Sequence, residues 1–101
     1  MKARKEITFD LILDELKEEF GETNFKKGYD EISNFLCKIN NFEHRQCSVY
    51  CSNEEITSAD VVDLIMKLKE KCPWLNHCLR RMDVANVENL HELTEILKAN
   101  N

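Results

Sequence analysis

Cysteine and histidine side chains give this chain its most distinctive potential chemistry. The candidates are His44, Cys47, Cys51, Cys72, His77 and Cys78. Thiolates and imidazoles are the ligands that zinc prefers, and a structural zinc site needs four of them to converge. None of the spacings is the usual C-x-x-C, and the adjacent His77 and Cys78 would point about 100° apart on a helix. We therefore expect no metal site and no cofactor.

The sequence also lacks the usual signatures of a catalytic centre. A nucleophilic cysteine needs a base held beside it, and His44 near Cys47 is the only local hint of such a pair. The chain has no serine-centred elbow, no H-E-x-x-H motif and no Gly-rich loop. Its closely spaced carboxylates fall on one predicted helix face, where nothing indicates a desolvated cleft. We therefore expect a protein that is not an enzyme.

Composition limits the chain to one domain and excludes several classes of protein. With 101 residues and 43% hydrophobic content, residues 1–101 can build a single modest core. No apolar run approaches the roughly 18 residues of a membrane span, and no apolar core of a secretory signal follows the N-terminus. We therefore expect a cytoplasmic protein with reduced thiols. A formal charge of −5 disfavours a nucleic-acid partner.

The spacing of the apolar residues predicts six helices. Thr57 or Ser58 is a suitable N-cap for the fourth helix, and Asp60 adds favourable charge to its first turn. Pro73 disfavours helical geometry in the preceding residue but suits the first position of a new helix. The predicted helices run from Glu6 to Phe20, from Thr23 or Asn24 to about Asn41, from Glu43 to Cys51, from Thr57 or Ser58 to Cys72, from Pro73 to Met82, and from Asp83 or Asn86 to Leu97.

The third of these helices is the least regular. Cys47, Val49 and Cys51 alternate with Ser48 and Tyr50, and this period of two residues is typical of a strand. A single strand in a helical protein would have no partner for its backbone groups, and buried unpaired groups are costly. We therefore predict a short, irregular helix for this segment.

Two surfaces of opposite charge are predicted on this bundle. We call them the acidic stripe, on the first helix, and the basic patch, on the fourth and fifth helices. A molecule that carries both can bind another copy head to tail, and such contacts build open helical assemblies when the rotation does not close. The same charges could instead serve only to keep the protein in solution. The acidic stripe comprises Asp10, Asp14 and Glu18, and the basic patch comprises Lys67, Lys71, Arg80 and Arg81.

The C-terminal half has a recognisable order of predicted helices and helix breaks. A helix with a leucine-rich stripe is followed by a break before a tryptophan, a second apolar set and a final helix that opens on leucine. This pattern resembles a caspase recruitment domain (CARD) of the death-fold superfamily, most closely those of the viral-RNA-sensing helicases and their mitochondrial adaptor. Cys78 and Met82 depart from it, since the family tends to have Phe and Leu there. The residues are Leu64, Ile65, Leu68, Pro73, Trp74, Leu75, Cys78, Leu79, Met82 and Leu90.

The resemblance implies an all-α, six-helix antiparallel bundle and a non-enzymatic adaptor. CARDs bind other CARDs through charge-complementary surfaces and form filaments in innate-immune or cell-death signalling. The acidic stripe and the basic patch would then bind another CARD-containing protein or a second copy, with no membrane and no nucleic acid involved. Two rivals remain: a small viral or phage-encoded helical inhibitor that binds a host protein through its acidic surface, and a zinc-stabilised regulatory module.

Overall fold

The computed structural model describes residues 2–87, and within them helices pack against a β-sheet. The expectation of an all-α, six-helix bundle is therefore wrong. No helix within residues 2–87 is both long enough and apolar enough to cross a membrane. The strands are β1 (Arg4–Leu11), β2 (Phe42–Gln46), β3 (Val49–Ser52) and β4 (Leu79–Val87). The helices are α1 (Leu13–Phe20), α2 (Lys26–Ser33), α3 (Ser58–Lys71) and α4 (Leu75–Cys78), and a π-helical segment, Asn34–Ile39, follows α2.

The sheet has the strand order β2-β3-β1-β4, and every neighbouring pair is antiparallel. β1 and β2 run in the same direction with β3 inserted between them, which is the split β-α-β arrangement of ferredoxin-like folds. β1 therefore lies inside the sheet, whereas β2 and β4 form its edges in the described part of the chain. The helices cover the face of the sheet that carries Ile7, Phe9 and Tyr50.

Strand β1 replaces the first half of the predicted first helix. Lys5, Ile7, Phe9 and Leu11 are buried, and a burial period of two residues is that of a strand. The helix predicted over Glu6–Phe20 is wrong as far as Leu11, and α1 supplies its remainder. Pairing with β3 on one side and β4 on the other satisfies the backbone of β1.

The β2–β3 hairpin occupies the segment where the spacing predicts a third helix over Glu43–Cys51. That prediction is wrong because β3 is not a lone strand: it pairs with β2 on one side and with β1 on the other. Cys47 lies in the hairpin turn with a φ of 24°, and Asn41 precedes the hairpin with a φ of 60°. The left-handed backbone at these two positions reverses the chain without glycine.

The predicted second and fourth helices are confirmed, with shifted bounds for the second. α2 and the π-helical segment together run from Lys26 to Ile39, and Asn40 Nδ2 donates to the Phe35 carbonyl at the end. α3 has the predicted N-cap: Thr57 and Asp60 exchange side-chain and backbone hydrogen bonds in a capping box. It ends before Cys72, as expected from Pro73.

The predicted fifth and sixth helices are largely wrong. α4 is a single turn, and from Leu79 onward the chain forms the edge strand β4. The predicted sixth helix begins inside this strand, and its part from residue 88 to Leu97, including Leu90, lies outside the described residues. The CARD-like spacing around Trp74 and Met82 therefore reflects a helix, a turn and a strand.

One hydrophobic core joins the helical layer to the covered face of the sheet. Trp74 is 7% exposed and meets the ring of Phe20 edge-on at a centroid distance of 5.1 Å. Lys5 is also buried, and its ammonium donates to Asn86 Oδ1. The core residues with the least exposure are Ile7, Leu16, Ile32, Leu36, Tyr50, Leu68, Cys72 and Cys78.

Candidate active site

The structure separates most of the residues predicted to bind a partner. Asp10 lies on β1, whereas Asp14 and Glu18 lie on α1, so the acidic stripe is not one helix face. Lys67 and Lys71 are exposed on α3. These residues do not form the paired surfaces that the helical bundle would have presented.

Three of the predicted residues do come together, at the end of β1. Asp10 stands opposite Arg81 in the β1–β4 register, and Arg80 Nη1 lies 3.5 Å from Asp10 Oδ2. A cavity of about 230 Å³ opens here and is also lined by Thr8, Phe9 and Asp83. We call this site the Asp10 corner. Acid and base are therefore neighbours here, and Asp10 forms an ion pair with Arg80.

The cysteines and histidines do not assemble into a metal site in the described part of the chain. No group of three or more potential ligands converges within residues 2–87. Burial raises the pKa of Cys51, Cys72 and Cys78, that of Cys72 to about 11. A thiol that stays protonated is neither a nucleophile nor a good metal ligand. His77 instead lies 3.0 Å from Glu19.

A cleft of about 540 Å³ lies between α2 and the β2–β3 hairpin. Its volume falls within the roughly 300–1,000 Å³ typical of ligand sites. One wall comes from the N-cap and helix of α2, where residues at intervals of four share a helix face. The opposite wall comes from the hairpin. We call this site the hairpin cleft; it is lined by Phe25, Lys26, Tyr29, Asp30 and Ser33 and by His44, Cys47, Ser48 and Tyr50.

The hairpin register places His44 beside Tyr50 on the helix-covered side of the sheet. Their rings stack with a centroid separation of 4.4 Å and an interplanar angle of 8°. His44 Nε2 also lies 2.7 Å from the carbonyl oxygen of Cys47. A carbonyl can only accept a hydrogen bond, so Nε2 must carry the proton. In the neutral ring Nδ1 then holds a free lone pair that can accept a proton.

The tyrosines of the cleft are suited to donate protons or hydrogen bonds. Burial raises the pKa of Tyr29, and the charge of Asp10 raises it further. Burial also raises the pKa of Tyr50, although a hydrogen bond with Ser33 opposes that effect. Both phenols therefore remain protonated at neutral pH. Phe9, which lines the Asp10 corner, stacks with Tyr29 of the hairpin cleft at a centroid distance of 6.4 Å.

In the sequence alone, His44 is a candidate only as a metal ligand or as a partner for Cys47. No motif marks Tyr29, Tyr50 or Ser33 as functional residues. The signal in the sequence that could have revealed the cleft is the alternation of side chains from Cys47 to Cys51, which is typical of a strand. A hairpin at this point sets His44 opposite Tyr50. The other wall of the hairpin cleft is formed by α2, and its position depends on how α2 packs over the sheet. Local spacing in the sequence does not reveal that packing.

Comparison with known proteins identifies the relatives of this chain. No family model matches it. It is 35% identical over 94 residues to the endoribonuclease VapD of Helicobacter pylori, covering 92% of this chain and 97% of that protein. It is 37% identical over 92 residues to the endoribonuclease VapD of Dichelobacter nodosus, covering 91% and 95%. Endoribonuclease VapD 2 of Riemerella anatipestifer is 25% identical over 87 residues, covering 86% and 92%.

These relatives overturn the functional expectations drawn from the CARD resemblance. They are named as ribonucleases, so the expectations of a non-enzymatic adaptor, of CARD partners and of no nucleic acid are wrong. The viral or phage inhibitor and the zinc-stabilised module do not fit them either. Net charge misled here because it averages over the whole surface and does not describe any one site. From 35% identity across nearly the full length of both proteins, we conclude that this chain belongs to the VapD endoribonuclease family.

Proposed function

We propose that this chain is an endoribonuclease and that it cleaves the RNA backbone in the hairpin cleft, with His44 as the general base. The names of the relatives support the activity. One observation carries the location: the bond from His44 Nε2 to the Cys47 carbonyl, which leaves Nδ1 free at the cleft wall. We also propose that the enzyme acts in the cytoplasm.

The reaction uses the 2′-hydroxyl of the substrate as its nucleophile. The 2′-oxygen forms a bond to the adjacent phosphorus, and the bond from phosphorus to the 5′-oxygen breaks. His44 Nδ1 takes the proton of the 2′-hydroxyl, and the phenol of Tyr29 gives a proton to the departing 5′-oxygen. The products are a 2′,3′-cyclic phosphate and a 5′-hydroxyl end. Tyr29 is assigned the acid role because it lines the same cleft as His44 and its phenol carries a proton at neutral pH.

Positive charge at the cleft attracts the phosphates of the RNA. Lys26 lines the hairpin cleft, whereas Arg80 and Arg81 lie at the Asp10 corner, where they pair with Asp10 and Asp83. Ammonium and guanidinium groups form strong charge-assisted hydrogen bonds with phosphate oxygens. A partner-binding role for Asp14, Glu18, Lys67 and Lys71 stays a prediction.

Substitution of His44 tests this proposal. His44→Gln keeps an N–H donor but removes the basic nitrogen, so we expect RNA cleavage to fall about 10²- to 10⁴-fold. Tyr29→Phe keeps the ring and removes the proton donor, and its activity should fall as well. Cleavage of a defined RNA oligonucleotide measures both effects, and mass spectrometry should detect the cyclic phosphate.

His77→Gln is the matched control, because His77 is an exposed histidine that contacts Glu19 on α1 and lies outside the cleft. We expect it to cleave RNA at the unsubstituted rate. Full activity of His44→Gln would refute the assignment of the base. If Asp10→Asn abolished cleavage while His44→Gln did not, the chemistry would belong to the Asp10 corner instead.

A further inference from the structure

A row of aromatic rings crosses the sheet and ends at the hairpin cleft. Phe9 on β1 and Tyr50 on β3 stack at 5.8 Å with an interplanar angle of 12°. Tyr50 and His44 on β2 then stack at 4.4 Å and 8°. Since β2 is an edge strand of the described sheet, His44 is the last ring of this row.

His44 is held as a rigid ring with one free face. Tyr50 covers one face, and the hydrogen bond to the Cys47 carbonyl fixes the rotation of the ring. The residue is nevertheless exposed and lines the hairpin cleft. With one face covered by Tyr50, the exposure of the ring leaves its opposite face open. A surface fixed in this way loses little conformational freedom when a ligand binds.

We infer that the open face of His44 is a nucleobase-stacking subsite that takes one unpaired base of the RNA as the next ring of the row. The subsite rests on the proposed function, since it gives the substrate a place in the same cleft. Lys26 lines that cleft and can pair with the phosphate of the stacked nucleotide. Bases stack on aromatic rings with little regard to sequence. The subsite therefore selects single-stranded RNA without a strong base preference.

Stacking and catalysis use different parts of the same imidazole. The base contacts the ring face, whereas the proton moves to Nδ1 at the ring edge. A base in a duplex is stacked on its neighbours above and below, so it cannot offer a face to His44 without leaving the helix. Duplex RNA should therefore be a poor ligand.

Binding of an uncleavable RNA separates the subsite from the chemistry. The probe is a fluorescein-labelled, single-stranded oligonucleotide with 2′-fluoro sugars, which lack the attacking hydroxyl, and fluorescence anisotropy measures its affinity. His44→Ala should bind it roughly 5- to 150-fold more weakly, the usual effect of losing one base–aromatic stack. His44→Phe restores a flat ring without a basic nitrogen, so it should bind normally yet fail to cleave RNA.

His77→Ala is the control and should bind the probe as the unsubstituted protein does. The 2′-fluoro duplex of the same sequence should bind more weakly than the single strand. Unchanged affinity in His44→Ala, or an equal loss in His44→Phe, would overturn the subsite even if His44→Gln were inactive. Conversely, normal cleavage by His44→Gln would refute the base while leaving the affinity measurements valid, so the two proposals fail separately.

Discussion

His44 shows how a single backbone contact can decide the chemistry of a side chain. The carbonyl of Cys47, which lies in a left-handed turn, accepts a hydrogen bond from Nε2–H. The same contact leaves Nδ1 as the basic nitrogen. A histidine at this position without the turn would have no preferred tautomer and no fixed ring plane.

Gly28 is a residue whose missing side chain matters for packing. A Cβ atom at this position would lie 2.9 Å from Leu16 Cδ2 and 3.1 Å from Trp74 Cη2. Both neighbours are buried, Leu16 completely, so neither can move freely. The glycine therefore permits close approach of α2 to α1 and to the turn before α4.

Gly28→Ala should destabilise the fold by up to about 2 kcal/mol. Overpacking a core costs about 1–3 kcal/mol, and alanine recovers about 1 kcal/mol of helix propensity. Urea denaturation measures the free energy of unfolding. Lys27→Ala, at an exposed position on the same helix, should change it by no more than about 0.5 kcal/mol. A more stable Gly28→Ala variant would contradict the tight packing.

At the scale of elements, α3 is defined by signals within its own sequence. Thr57 Oγ1 accepts from the Asp60 backbone N–H at 3.1 Å, and Asp60 Oδ2 accepts from the Thr57 N–H at 2.9 Å. These bonds with Thr57 lower the pKa of Asp60. The helix start and its termination near Pro73 could therefore be predicted from local residues alone.

Asp60→Asn should remove a pH-dependent part of the stability. Because the folded pKa of Asp60 is lowered, its carboxylate stabilises the fold above the unfolded pKa of about 3.9. That contribution is lost as the pH falls through the folded pKa. Urea midpoints should therefore show a gap between the unsubstituted protein and Asp60→Asn at pH 7 that closes at strongly acidic pH.

Asp63→Asn provides the matched control for this measurement. Asp63 is exposed on the same helix and lies outside the capping box. Its substitution should leave the difference in stability between neutral and acidic pH nearly unchanged. A gap for Asp60→Asn that persisted at low pH would show that the charge of Asp60 is not what the cap uses.

The strands could not be predicted in the same way, because their partners are distant in the sequence. Ile7 pairs with Tyr50 and with Val84, and neither is visible in a local window. The apolar residues of β1 also fit the helical spacing of the apolar residues in α1. The spacing therefore predicts one long helix in place of a strand and a helix. β4 is mostly exposed and lacks an alternating apolar pattern. Tertiary pairing alone makes it a strand.

At the scale of the whole molecule, a single core couples the helices to the sheet. Trp74 belongs to the same cluster of buried residues as Ile7 and Tyr50. The two layers therefore have no separate cores that could unfold independently. A small domain with one core normally unfolds in a single cooperative step.

Two spectroscopic probes should therefore report the same unfolding transition. The chain has one tryptophan, so fluorescence follows the helical layer around Trp74, whereas far-UV circular dichroism follows all the secondary structure. We expect their urea midpoints to coincide. A fluorescence change at clearly lower urea would show that the helical layer separates from the sheet before global unfolding.

The site is also a property of the whole molecule, which explains why the sequence only partly predicts it. His44 attracted attention as a rare residue type, and Asp10, Arg80 and Arg81 did so as charges. Their grouping depends on the strand order, which sets β4 beside β1 and the hairpin beneath α2. No spacing within one segment contains that information.

The central position of β1 has a consequence for synthesis on the ribosome. β1 is made early, but it pairs along its full length with β4, from Arg4 opposite Val87 to Leu11 opposite Leu79. One side of the innermost strand must therefore wait until residue 87 has emerged from the exit tunnel. Folding should then finish late, once the residues of β4 have left the ribosome.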